Sequence, residues 1–100
     1  VTNAILIIPI MEDEEERIKD VNTFFDGNKG FIGCDDESLP HGWYGGSKML
    51  ETNVYIGSFN YLELANLISH LRTIKWREPE NVQLIIQEQE DDKFRIIEIK

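Results

Sequence analysis

At 100 residues and 11.7 kDa the chain has room for a single domain, 1–100, with one modest core. Its 41% hydrophobic content excludes a disordered chain, its one cysteine (Cys34) excludes an internal disulfide or a paired-cysteine metal knuckle, and no apolar run approaches the roughly 18 residues of a membrane span. Nineteen acids against ten bases leave a net charge of −9, a field that repels phosphate backbones and disfavours direct nucleic-acid binding.

Ala4–Ile10 is almost continuously aliphatic and reads as a central strand buried on both faces, with Ile7 in its interior and Pro9 closing it. Acids follow this stretch where no signal peptide places them, so a soluble cytoplasmic domain is expected. A first helix follows. Asp13 with Glu16 has capping-box spacing, Ile18, Val21, Phe24 and Phe25 share one face, and Gly27 suits a left-handed stop. Gly30–Cys34 reads as a short second strand.

Residues 35–47, with Pro40, Gly42, Gly45 and Gly46, form a loop long enough to be functional. Lys48–Gly57 is the third strand. A second helix is expected from Asn60 as N-cap with Glu63 at N3, its buried face marked by Leu64, Leu67, Ile68, Leu71 and Ile74. Pro79 stops it, and Trp76 is expected to fold back over its end. His70 falls near its solvent side. Asn81–Gln87 and Lys93–Ile99 make an antiparallel hairpin, with Val82, Leu84 and Ile86 inward and Gln83 and Gln87 outward. The order β-α-β-β-α-β-β points to an α+β domain, an antiparallel or mixed sheet with two helices on one face, a ferredoxin-like variant with an extra strand.

Three constellations carry possible chemistry. Cys34 with His41 has the residue types of a nucleophile and base, but Asp35, Asp36 and Glu37 crowd the thiol and raise its pKa. Those acids and His41 lack calcium-loop spacing and offer zinc a single soft ligand, so neither metal nor cofactor is expected. The glycines of Gly42–Lys48 lack the phosphate-loop pattern. No catalytic set emerges, and a non-enzyme is expected.

The acidity is patchy. Glu12–Glu16, Asp35–Glu37 and Glu88–Asp92 hold five, three and four acids and no Lys or Arg, leaving seven acids against ten bases elsewhere. Such patches keep a domain soluble, and they also steer a basic protein toward it. Asp35, Asp36, Glu37 and His41 beside Trp43 and Tyr44 bring steering charge and aromatic anchors together, and Glu90, Asp91 and Asp92 are the second candidate for the same role. Gln83, Gln87 and Gln89 fit a polar outer face or an edge on which a partner adds a strand.

Gly42-Trp-Tyr-Gly-Gly46 in a central loop, with Trp76-Arg-Glu-Pro-Glu80 leading into Val82–Gln87 and an acidic turn, resembles the small immunity proteins of bacterial toxin systems, including contact-dependent growth inhibition. The resemblance implies an inhibitor that binds a basic, often nuclease, toxin domain. The competing expectations are a small ligand-binding module or enzyme of ferredoxin-like fold, and an assembly subunit or adaptor.

Overall fold

The computed structural model describes residues 1–100 and shows β1 (Thr2–Ile8), α1 (Glu14–Asn22), β2 (Ile32–Gly33), β3 (Asn53–Phe59), α2 (Leu64–Thr73), β4 (Gln83–Gln87) and β5 (Arg95–Glu98). All strand pairs are antiparallel, in the order β2-β3-β1-β4-β5. Removing β5 leaves two interleaved β-α-β units, the ferredoxin-like arrangement, and β5 extends it at the β4 edge. The expected α+β class is observed, with β1 in the middle of the sheet.

One expectation about β1 is overturned. Thr2, Ala4, Leu6 and Ile8 are buried, whereas Ile5 and Ile7 lie half-buried on the opposite face. Both helices cover one face only: Val21 of α1 and Leu67 and Leu71 of α2 join Ala4, Leu6, Ile8, Leu84 and Ile86 in one core. An aliphatic residue at every position satisfies the interior equally well whether or not the second face is covered, so the pattern alone does not separate the two cases.

Of the expected helix starts, that of α1 holds and that of α2 moves. Asp13 occupies the N-cap of α1 but makes no side-chain capping bond, and Glu16 instead lies 3.8 Å from Arg17. At α2 the N-cap is Glu63 rather than Asn60, because Tyr61, fully exposed at φ 57°, turns the chain before the helix begins. The α1 stop is shared between Asp26 (φ 47°) and Gly27 (φ 83°) after a 3₁₀ turn at Thr23–Phe25.

Strand β2 is shorter than expected because Asn22 takes the place of a neighbouring strand. Its side chain donates to Phe31 O (3.0 Å) and accepts from Phe31 N (2.9 Å). Gly30 is needed for that approach, since a Cβ there would sit 2.4 Å from Asn22 Oδ1. At β3 the strand runs past Gly57, whose missing side chain is covered by the Phe59 ring. Phe59 in turn stacks on Phe25 at 4.7 Å.

Candidate functional site

Strand direction places the functional segments. β1 runs toward Ile8, and β2, parallel to it, ends at Gly33, so the long loop emerges where β1 finishes. The start of α1 follows from that same end, and Arg77–Asn81 returns to it after α2. The turn joining β4 and β5 lies at the other end, where the Val1 ammonium donates to Gln89 Oε1 (3.3 Å). The two candidate patches therefore occupy diagonally opposite corners, separated by about 20 Å along the strands alone. A partner footprint of about 800 Å2 is about 16 Å in radius and, centred on one corner, does not reach the other.

The corners differ in free charge. In the turn, Arg95 bonds Asp91 and lies 3.2 Å from Glu88, so two of its four acids are already compensated. Glu90 and Asp92 remain exposed. In the loop, Asp35, Asp36 and Glu37 are exposed and form no ion pair, and His41 is exposed beside them. Asp36 accepts from Ser38 N at 2.8 Å, and bonding from Ser38 holds its carboxyl below the ordinary value.

Trp43 and Tyr44 stitch the two limbs of the loop. The Trp43 indole N–H donates to Cys34 O on the β2 limb, while Tyr44 Oη accepts from Leu50 N (3.4 Å) on the β3 limb. Their rings meet edge to face at 6.0 Å. Trp43 nevertheless stays 46% exposed, so it is held in place and still available. The loop encloses an open hollow of about 640 Å3, with only five hydrophobic residues among the fifteen around it. Small-ligand pockets are mainly apolar, so this lining suits a protein surface better.

The structure adds residues that patterning missed. Glu14 and Asp35 line one small hollow with Tyr44, Met49, Leu50 and Thr52, which brings two of the three acidic segments together at the loop end. Ile10 and Met11 border Thr52 from the other side. Five of the nine exposed large hydrophobics (Ile10, Met11, Trp43, Met49 and Leu50) thus gather here. No period in the sequence marks them, because irregular backbone brings them together.

Cys34 is buried, and its thiol is pushed up first by burial and then by Asp35, which leaves little thiolate for chemistry at neutral pH. No group of three or more His, Cys, Asp or Glu side chains is placed to hold a metal ion. His70 turns toward α1 rather than solvent, with Nε2 2.8 Å from Asp20 O and its ring 5.6 Å from Phe24. No helix is long and apolar enough to cross a membrane.

Beneath the site, the buried Tyr55 hydroxyl donates to Glu14 Oε1, tying β3 to the start of α1. Burial, then the Glu14 carboxylate, raises Tyr55 above the ordinary phenol value of about 10. A group raised in the folded state stabilises it fully below the unfolded value and loses that contribution as pH climbs through the folded one. Stability is therefore expected to fall above about pH 10, with one tyrosine ionising late. Phenolate absorbance checks this: Tyr55→Phe should remove the late step, and loss of only an ordinary phenol near pH 10 would contradict it.

Compared with known proteins, the chain matches no family model, no curated protein and no solved structure.

Proposed function

We propose that the chain is an immunity-type inhibitor that binds a basic toxin domain, such as a nuclease, through the loop end of the sheet. The observation that carries this reading is the convergence at one corner of the unpaired acids Asp35–Glu37, next to the start of α1 at Glu14, with five exposed large hydrophobics. Charge steers the encounter, and apolar anchors hold the complex once water is excluded. Trp43 is fixed by its bond to Cys34 O before any partner arrives, so little side-chain entropy remains to be lost on docking. The Glu90–Asp92 corner is the weaker candidate because Arg95 already draws on its charge.

The test is capture of the partner from the native host with the wild-type chain, followed by kinetics on the purified pair. Asp35→Asn with Asp36→Asn should slow association and flatten its salt dependence. Trp43→Ala should speed dissociation by about 30-fold, the equivalent of about 2 kcal/mol for a hot-spot residue. Neutralising Glu90 and Asp92 should change neither rate. The captured protein should arrest growth when expressed alone and be silenced by this chain. A partner that is harmless to cells, or that binds loop variants with unchanged kinetics, would overturn the reading.

A further inference from the structure

The sheet face away from the helices carries a feature that the loop end does not explain. Ile32 pairs with Ile56, Ile56 with Ile5, Ile5 with Ile85 and Ile85 with Ile96, so one isoleucine from every strand lines up in a single row across the sheet. Four of the five are half-buried, and Ile96 is 62% exposed. Among the strand residues pointing this way only Glu98 is charged, in a chain that is 29% charged overall. The helices pack on the other face, and a hollow with Lys29 and Gly30 at its edge opens over Ile5, Ile32 and Ile56.

We infer that this face is a dimer interface between two copies of the chain, packed sheet on sheet. The row is centred on Ile5 of the middle strand, so a two-fold axis passing between two such faces at Ile5 lays row on row. Strands of seven, two, seven, five and four residues, at about 4.8 Å spacing and about 3.4 Å per residue, give a face of about 400 Å2. Two faces then bury about 800 Å2, the size of a weak, reversible contact rather than an obligate one. The scarcity of charge suits a second copy and leaves a basic partner only Glu98 to pair with on the strands. Two molecules at −9 each still repel, so the dimer forms reversibly and tightens as salt screens the approach. That salt response is opposite in sign to the one expected at the acidic corner.

Sedimentation equilibrium of the full chain, at rising concentration in about 50 and about 500 mM salt, reads the result. The mass is expected to climb from 11.7 kDa toward twice that value, further at high salt. Ile5→Thr keeps a β-branched residue at the axis and removes its contact in both copies, so it should weaken dimerisation at least 10-fold with a retained cooperative melt. Ile96→Lys, at the most exposed position of the row, should do the same and covers the case in which Ile5→Thr folds poorly. Trp43→Ala should leave the association unchanged. A chain that stays at 11.7 kDa throughout, or a dimer that survives both isoleucine changes, overturns the inference.

Discussion

Leu6→Asp is expected to abolish folding. Leu6 is 0% exposed at the centre of β1, between Tyr55 and Leu84 on the neighbouring strands and beneath both helices. Losing its burial costs about 2–3 kcal/mol. An unpaired carboxylate in the same position adds several more, against a total stability of about 5–15 kcal/mol for a domain of this kind. Ile7→Asp, one residue along, places the charge on the open face and should still melt cooperatively, with a loss of about 1–3 kcal/mol from β-propensity and partial burial. Far-ultraviolet circular dichroism during thermal unfolding separates the two. A folded Leu6→Asp, or an Ile7→Asp that is equally unfolded at micromolar concentration, would contradict the assignment of faces.

Glu12→Ala is expected to cost about 2–4 kcal/mol, although acids on the surface of a −9 chain are ordinarily dispensable. Glu12 is buried, and its two carboxylate oxygens accept from Arg77 N (2.9 Å) and Glu78 N (2.6 Å). It thereby fastens the connection after β1 to the segment that leads from α2 into β4. Removing it leaves two backbone donors without their charged acceptor, the costly half of a hydrogen bond. Glu12→Gln keeps one acceptor oxygen and should lose about half as much. Glu16→Ala, at an exposed position, should fall within about 0.5 kcal/mol of wild type. Urea midpoints at neutral pH decide the matter, and a Glu12→Ala midpoint equal to that of Glu16→Ala would remove Glu12 from this role.

Glu12 also shows where patterning stops. In the chain it is one of five acids in a row, and such a row beside a helix start reads as favourable charge near the positive end of the dipole. Its partners are 65 and 66 residues away, and no local spacing encodes a bond of that span. Tyr55 and Glu14, 41 residues apart, were invisible for the same reason. Trp76 was legible by contrast. An indole shortly before a helix-stopping proline has the helix end within reach, and its N–H does donate to Leu71 O at 2.8 Å.

The candidate site divides along the same line. Asp35, Asp36, Glu37, His41, Trp43 and Tyr44 are contiguous, so their gathering on one loop follows from the chain itself. The additions of Glu14, Ile10 and Met11, and the separation of Glu90–Asp92 to the opposite corner, follow from strand direction.

Hydrophobic periodicity and turn chemistry act over a few residues, so they suffice to set element type, the β-α-β-β-α-β-β order, the inward face of β4 and the extra strand beside a ferredoxin-like core. Which strand neighbours which, which acids are spent on internal bonds, and which face of a doubly apolar strand is left open depend on chain closure over tens of residues. Ile5 and Leu6 are both large aliphatic residues in the same strand, yet one joins the isoleucine row and the other the core. What separates them is that both helices pack on the same side of the sheet.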